Sequence, residues 1–179
     1  MVWEACQTFS GTWGYHRDET TWKSVAQVLG MLIDGVSKGG NMLMNIGPTG
    51  RGEIDYRAQA ALKGLSAWMR VNSRSIHSCG AAPAGMEAPV DCRYTYNAET
   101  NRLYLHLFAW PFGQVHLTGM AGKVKYAQFL HDASEVRLRE PKVQEHANLE
   151  TGTVQGDLTL NLPVVKPNVE IATIELILK

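Results

Sequence analysis

The sequence predicts an α/β region followed by an all-β region, with the change of pattern at residues 81–90. Before residue 80, short apolar runs alternate with amphipathic helical patterns, an order typical of a parallel sheet or an α/β barrel. After residue 90, short alternating strand patterns recur about every ten residues, which is typical of a β-sandwich. We therefore expect domains at residues 1–80 and 91–179, joined by a Pro/Gly/Ala-rich linker.

The α/β region opens with a predicted strand at residues 1–6. A helix should follow from Thr20 or Thr21, because either side chain can accept a hydrogen bond as an N-cap residue. Apolar residues at three- and four-residue steps continue this helix to Val36. The glycines at 39–40 then allow the left-handed conformation that commonly ends a helix.

A second strand is predicted at residues 41–46, where nearly every position is apolar, as in a strand buried on both faces. We expect Asn41 and Asn45, which flank this strand, to hold neighbouring loops by hydrogen bonds. The loop at 47–52 is rich in glycine and leads to a second helix over residues 55–71, capped at its first residue.

Seven strands are predicted after the linker, separated by residues that favour turns. They cover residues 93–97, 103–109, 115–117, 124–130, 134–138, 158–162 and 171–178. A complete (β/α)8 barrel takes about 250 residues, and the α/β region here supplies two predicted strands. We therefore expect the chain to be the C-terminal piece of a longer protein, or to complete its sheet with a partner.

Composition argues against several classes of protein. The 17 basic and 17 acidic residues give a net charge of zero, so nothing indicates a partner nucleic acid. We expect no membrane span and no signal peptide at the start MVWEAC. Cys6, Cys79 and Cys92 lack metal-ligand spacing, so we expect free buried thiols, with a disulfide between the last two as the alternative.

The candidate functional site is the segment WEACQTFSGTWGYH near the amino terminus. It places a carboxylate, Glu4, close in sequence to His16 and to the aromatic rings of Trp3, Trp13 and Tyr15. Aromatic faces suit the apolar faces of sugar rings, and polar groups between them can bind hydroxyls. The structural alternative is that the two tryptophans belong to the core and that the carboxylate is a solvated strand end.

This segment, together with SKGGNMLMNIGP at residues 37–48, resembles the α-L-fucosidases of glycoside hydrolase family 29. That family typically shows Trp-Glu, a Ser-Trp-Gly-Tyr-like segment, a helix, a VSKGGN-(L/M)-L-(L/M)-N-(I/V)-GP-T motif, and a helix ending near a Trp. The counterparts here are Trp3 with Glu4, residues 12–15, residues 36–49 and residues 65–68. Order and spacing match over residues 3–78.

The resemblance implies the C-terminal part of a (β/α)8-like barrel followed by an antiparallel β-sandwich. It implies a retaining hydrolase that releases terminal α-L-fucose from glycans or glycosides, with an Asp nucleophile, a second carboxyl group as acid/base, and no cofactor or metal. The Asp nucleophile has no counterpart in these 179 residues, so we expect the chain alone to be inactive. The family is typically secreted, periplasmic or lysosomal, and the sequence leaves the oligomeric state open.

Glu4 is the candidate general acid/base, with a substrate contact and a structural role as alternatives. In some family members the acid/base lies on a loop upstream of the Trp-Glu pair. Trp13 matches a position whose ring packs on the sugar, where the C5 methyl of fucose would fit, and Trp3, Tyr15 and His16 are further candidates for substrate binding. The rival function is a non-catalytic carbohydrate-binding or interaction module, with the β-sandwich as the working part.

Overall fold

The computed structural model describes residues 3–140 and 156–179. Its first part alternates strands and helices in the predicted order, and a 3-10 turn, Ser73–Ser75, follows the second helix. The elements are β1 (Glu4–Thr8), α1 (Val25–Ser37), β2 (Asn41–Asn45) and α2 (Tyr56–Asn72). β1 and β2 pair in parallel, so the strand-helix-strand-helix interpretation is confirmed for these residues.

α1 begins later than predicted because Ser24 is its N-cap. The Ser24 hydroxyl accepts a hydrogen bond from the Gln27 backbone N–H (3.1 Å), and the Gln27 side chain accepts one from the Ser24 N–H (2.8 Å). This reciprocal pair is a capping box, which satisfies two free donors at the helix start. The residues predicted as caps, 20–21, do not begin the helix because Trp22 bridges to Ser10 in an antiparallel pair.

α1 and α2 cover one face of the parallel sheet. α2 begins where predicted, because the Asp55 side chain caps it. Met42 and Met44 of β2 are partly buried and pack against a core cluster that includes Val28 of α1 and Ala61 of α2. Burying these side chains stabilises the layer at about 25 cal/mol for each Å² of apolar surface removed from water.

The opposite face of the parallel sheet is uncovered in the described part of the chain. Side chains alternate along a strand, so Glu4, Cys6 and Thr8 share this face with Leu43, the register partner of Cys6. Leu43 is 52% exposed. The strand at 41–46 is therefore not buried on both faces, because within the described ranges nothing covers the face that carries Leu43 and the sheet has two strands, without the further sheet that such burial requires.

All seven strands predicted after the linker are present. They are β3 (Cys92–Asn97), β4 (Arg102–Leu107), β5 (Gln114–Leu117), β6 (Val124–Phe129), β7 (Arg137–Arg139), β8 (Leu158–Asn161) and β9 (Ala172–Leu178). They form a four-stranded antiparallel sheet in the order β3-β4-β9-β6 and a three-stranded one in the order β5-β8-β7. The inward side chains of both sheets, among them Leu105, Leu160 and Ile174, form one core, as in a β-sandwich.

The helices pack on the outer face of the four-stranded sheet through an apolar cluster that includes Ile33 and Ile171, and buried polar groups also lie in this interface. The Trp68 indole N–H of α2 donates to the Ile171 carbonyl at 2.8 Å. His106 of β4 is fully buried and lies within hydrogen-bond distance of the hydroxyls of Thr95 (2.9 Å) and Thr173 (3.1 Å). Burial lowers the pKa of His106 to about 3, so the imidazole is neutral in the folded chain.

Contacts therefore join the α/β part and the sandwich directly. Arg93 of β3 donates to Asp34 of α1 at 2.8 Å, and the backbone of Gly80 pairs with that of Tyr96. The division into domains at 1–80 and 91–179 stays a prediction, and the interface predicts that the two parts stabilise each other.

Two expectations from composition concern cysteines and membranes. All three cysteines are free, so no disulfide joins Cys79 to Cys92, and burial raises the pKa of both thiols to about 11. Cys6, expected as a buried thiol, is exposed because the sheet face that carries it has no covering layer. Over residues 3–140 and 156–179, the helices are too short or too polar to cross a bilayer.

Candidate functional site

The candidate site lies at the carboxyl ends of the two parallel strands. Thr8 ends β1 and its register partner Asn45 ends β2, so the loops that follow them start side by side. The first loop, residues 9–23, carries Trp13, Tyr15 and His16. In parallel α/β folds, this edge of the sheet is where ligands bind and where barrel enzymes place their chemistry.

Backbone hydrogen bonds fix the base of the first loop. The Lys23 N–H donates to the Phe9 carbonyl (2.9 Å), and the Gly11 N–H donates to the Thr21 carbonyl (3.0 Å). The Lys23 ammonium also reaches the Thr8 carbonyl at 2.7 Å. These bonds form a short two-stranded ribbon and leave residues 12–20 as its tip, here called the aromatic tip.

β2 and the loop after it hold one side of the aromatic tip. The Asn45 side-chain N–H donates to the Trp13 carbonyl at 2.5 Å, which confirms that Asn45 holds a neighbouring loop. The backbone at Gly47 approaches the tip so closely that a Cβ there would lie 2.8 Å from the Gly14 carbonyl carbon and the Tyr15 nitrogen. Glycine is required at position 47 because any side chain would push the tip away.

Arg57, in the first turn of α2, holds the other side of the tip. Its guanidinium donates to the carbonyls of Glu19 (2.9 Å) and Arg17 (3.4 Å) and lies 4.5 Å from the centre of the Trp22 ring. Hydrogen bonds from Arg57 to both Asp55 oxygens lower the pKa of Asp55 and raise that of Arg57. No local pattern in the sequence marks this role, since the contact with Glu19 spans 38 residues.

The aromatic tip presents its rings to solvent. Trp13 is 60% exposed, Tyr15 is 39% exposed, and His16 is also exposed. Tyr15 and His16 line a small recess together with Thr8 and Asn45. The alternative that Trp13 belongs to the core is therefore wrong, because its backbone is fixed while its side chain stays accessible.

A backbone hydrogen bond keeps the Glu19 carboxylate of the tip in its charged form. The Thr21 N–H donates to Glu19 at 2.7 Å, and this hydrogen bond lowers the pKa of Glu19. Asp18 pairs with Arg17 at 3.2 Å on the surface. Ionised carboxylates accept hydrogen bonds from sugar hydroxyls but cannot donate a proton. The described residues bring together no group of three His, Cys, Asp or Glu side chains able to hold a metal.

Glu4 begins β1, whereas the sequence predicts it near the carboxyl end of a strand over residues 1–6. Positions 1 and 2 of that predicted strand lie outside the described residues. Because a strand rises about 3.3 Å per residue, Glu4 is roughly 13 Å from the Thr8 end of β1. Its exposed side chain shares the uncovered face of the sheet with Thr8. The acid/base role of Glu4 stays a prediction.

Trp3 also lies at the amino end of β1, away from the aromatic tip. Its indole N–H points to the Lys38 carbonyl at 3.4 Å, and its ring covers Gly40, where a Cβ would lie 2.3 Å from ring atoms. Trp3 thus fastens the start of β1 to the turn between α1 and β2. Trp13, Tyr15 and His16 thus lie in the loop after the carboxyl end of β1, whereas Trp3 and Glu4 lie at the other end of the strand.

Comparisons with known proteins agree on one family. Residues 1–74 match the family model described as Alpha-L-fucosidase. The plasma alpha-L-fucosidase of Homo sapiens is 31% identical over 120 residues, which are 64% of this chain and 26% of that protein. Alpha-L-fucosidase isoenzyme 1 from Paenibacillus thiaminolyticus is 37% identical, with a TM-score of 0.87 over 100% of this chain and 40% of that one.

A second solved structure, the alpha-L-fucosidase GH29 from Bacteroides thetaiotaomicron, has the same fold over nearly the whole chain. It is 24% identical, with a TM-score of 0.82 over 99% of this chain and 38% of that one. The chain thus spans between 26% and 40% of the length of these three proteins.

Proposed function

We propose that this chain, a relative of the α-L-fucosidases of glycoside hydrolase family 29, forms part of an α-L-fucosidase. In this proposal, β1, α1, β2 and α2 belong to a (β/α)8-like barrel, and the antiparallel sheets are the β-sandwich that follows it. The reaction is hydrolysis of a terminal α-L-fucosyl linkage with net retention, through a covalent intermediate on an Asp nucleophile. The fucosylated glycan or glycoside is the substrate.

The uncovered face and the free edges of the parallel sheet support a barrel. Strands of a closed barrel pair on both edges and are buried on both faces, which suits the apolar sequence of β2. With α1 and α2 on the outside, the face that carries Cys6 and Leu43 points to the barrel interior. The remaining strands, and the nucleophile, come from polypeptide other than residues 1–179.

The observation that carries the proposal is an exposed Trp13 on a backbone fixed from two sides. Asn45 and Gly47 hold the tip against β2, and Arg57 holds it against α2. A side chain on a backbone that is already fixed loses less conformational freedom when a sugar packs on it. We place the apolar edge and C5 methyl of fucose on Trp13, with Tyr15 and His16 as hydrogen-bonding partners of the hydroxyls.

Glu4 is the proposed general acid/base because it lies on the face that would point into the barrel. Retaining glycosidases hold their two carboxyl groups about 5–5.5 Å apart, with the sugar between them. The distance of roughly 13 Å from Glu4 to Thr8, where the loop with the aromatic tip starts, supports the alternative, in which Glu4 contacts the barrel interior and another carboxyl group donates the proton. Replacing Glu4 with Gln distinguishes these roles.

The experiment is a chimera in which residues 1–179 replace the matching 40% of the Paenibacillus thiaminolyticus enzyme. We expect the chimera to hydrolyse an aryl α-L-fucoside and the 179-residue chain alone to be inactive. Trp13→Ala in the chimera should lower kcat/KM by about tenfold or more, because stacking of an aromatic ring is lost. Phe112→Ala is the matched control, since Phe112 is an exposed ring (86%) in the sandwich. A folded chimera without activity would contradict the proposal.

The same chimera tests Glu4. If Glu4 is the acid/base, Glu4→Gln should slow hydrolysis of a natural fucoside by about 10²–10⁴-fold. An activated aryl fucoside should suffer less, and azide should restore part of its rate. Equal losses on both substrates without azide rescue would assign Glu4 to binding or structure.

The rival function, a non-catalytic carbohydrate-binding module, makes the opposite prediction for the two exposed aromatic side chains. If the sandwich is the working part, the 179-residue chain should bind a fucosylated glycan, and Phe112→Ala should weaken binding while Trp13→Ala leaves it unchanged. Titration calorimetry of both variants against one glycan decides between the two functions.

A further inference from the structure

A polar pocket lies at the far end of α2 from the aromatic tip. It has a volume of about 430 Å³ and lies between the 3-10 turn Ser73–Ser75 and the strands β3, β4 and β9. Its polar lining includes Arg74, His77, Arg102 and Glu175. Because the 17 residues of α2 rise about 1.5 Å each, this pocket is roughly 25 Å from the proposed fucose site.

A buried carboxylate, Glu175, lies under this pocket with only 2% of its surface exposed. Its two oxygens accept hydrogen bonds from Arg102 (3.1 Å), Arg74 (3.2 Å) and the Gln128 amide (2.6 Å). Two guanidinium groups therefore converge on one carboxylate. The two arginines and Glu175 together carry one net positive charge, and Glu99, the other carboxylate that lines the pocket, forms no ion pair with them in the described part of the chain.

The two arginines keep donors that face the pocket. Each guanidinium has five N–H groups, and Glu175 occupies one from each. The Arg74 side chain is 52% exposed and the Arg102 side chain is 33% exposed, so the remaining donors are accessible. The His77 side chain also lines the pocket, and within the described residues it makes no hydrogen bond or ion pair.

We propose that this pocket binds an oxyanion group, such as a carboxylate, sulfate or phosphate, carried by a small ligand. Guanidinium groups match such anions in shape and charge, and charge-assisted hydrogen bonds are the strong ones. Hydroxyls of Ser73, Ser78 and Thr100 line the same pocket and suit a ligand with further hydroxyl groups. The ligand chemistry is that of an acidic sugar or of free phosphate. This site does not depend on the proposed fucosidase activity.

Glu99 at the rim of the pocket provides a second test, because its removal should change anion affinity in the opposite direction to removal of an arginine. It lines the pocket but makes no ion pair within the described part of the chain. Its negative charge repels an incoming anion. Glu99→Gln should therefore strengthen anion binding by several-fold, and Arg74→Gln should weaken it by about tenfold.

The test is titration of the 179-residue chain with glucuronate, inorganic phosphate and neutral galactose, followed by NMR of backbone amides. We expect saturable binding of an anion that shifts the resonances of Ser78 and Thr100, and no binding of galactose. Tighter binding of glucuronate identifies an acidic sugar as the ligand, and tighter binding of phosphate identifies the free anion. The absence of saturable binding of both anions would overturn the proposal.

Further variants distinguish a loss of anion binding from a loss of folding. Arg74→Gln weakens the neutralisation of buried Glu175, so it is accompanied by His77→Ala and Glu99→Gln, whose side chains lack partners in the described ranges. Arg70→Gln, an exposed position on α2, is the matched control and should leave binding unchanged. Anion affinity that is equal in His77→Ala, Glu99→Gln and the unaltered chain would refute the site.

Discussion

Replacing Gly47 with alanine should loosen the aromatic tip. The new Cβ would lie 2.8 Å from the Gly14 carbonyl carbon and the Tyr15 nitrogen, whereas ordinary contact begins at 3.4 Å. The two loops must separate by about 0.6 Å, because the atoms on the other side belong to the main chain and cannot rotate away. We expect a loss of about 1–3 kcal/mol in the free energy of unfolding, the usual range for overpacking.

Gly50→Ala is the matched control for this substitution. Gly50 lies in the same loop, lacks a positive φ, and has no atom within 4 Å of the position that a Cβ would take. An alanine there should be neutral or stabilise the chain by up to about 1 kcal/mol, since it restricts the unfolded state.

The assay is urea unfolding followed by tryptophan fluorescence, together with the NMR signal of the Asn45 side-chain amide. Gly47→Ala should shift that amide signal, because the hydrogen bond from Asn45 to the Trp13 carbonyl lengthens when the tip moves. Equal free energies of unfolding for the two alanine variants, or an unchanged Asn45 signal, would refute the close approach as the reason for glycine at position 47.

Three further predictions concern the interface and the start of β1. Because the pKa of His106 is about 3 when folded and 6.5 otherwise, the unfolded chain binds the extra proton between these values. The free energy of unfolding should fall as pH drops below 6.5, by at most about 1.4 kcal/mol per pH unit, and His106→Gln should flatten this fall in urea titrations. An unchanged pH slope would count against the buried neutral imidazole. Trp68→Phe keeps an aromatic ring in place but leaves the Ile171 carbonyl without its hydrogen-bond donor. Urea denaturation should therefore show a free energy of unfolding lower by about 1–3 kcal/mol, and an unchanged value would mean that this hydrogen bond is dispensable. Gly40→Ala should displace the Trp3 ring and increase quenching of its fluorescence by acrylamide, and unchanged quenching would contradict the packing of Trp3 on Gly40.

Local signals make much of the fold predictable. Asp55 has the acceptor that an N-cap needs, and the strands after the linker alternate polar and apolar residues, so their positions follow from short-range patterns. The start of α1 is harder to predict because several hydroxyl residues compete as caps. The pairing of Trp22 with Ser10, a tertiary feature, leaves the capping box at Ser24 as the start.

The site is only partly predictable, because its geometry depends on contacts between distant segments. The chemistry of the tip residues Trp13 and Tyr15 is enough to single them out. Arg57 contacts the tip at Glu19, 38 residues away, and no local pattern marks that contact. Asn45 is predicted to hold a loop, but the sequence does not identify its partner Trp13, 32 residues away. The predicted location of Glu4 is wrong for a related reason, since the apolar residues before it suggest a strand that in fact begins with it.

The pocket at Glu175 also could not be predicted from local sequence patterns. A glutamate inside the apolar strand β9 stands out in the sequence, but its partner Arg74 is 101 residues away. Only the packing of the 3-10 turn on the four-stranded sheet brings the two charges together.

The proposed function requires that the Trp13 ring contact fucose in the bound state. The most direct measurement is ¹⁹F NMR of the chimera labelled with 5-fluorotryptophan, with the Trp13 signal identified by Trp13→Phe. On titration with L-fucose, we predict that the Trp13 signal shifts in proportion to bound sugar, while that of buried Trp68 stays fixed. Saturable fucose binding that leaves the Trp13 signal unmoved would contradict a fucose site at Trp13.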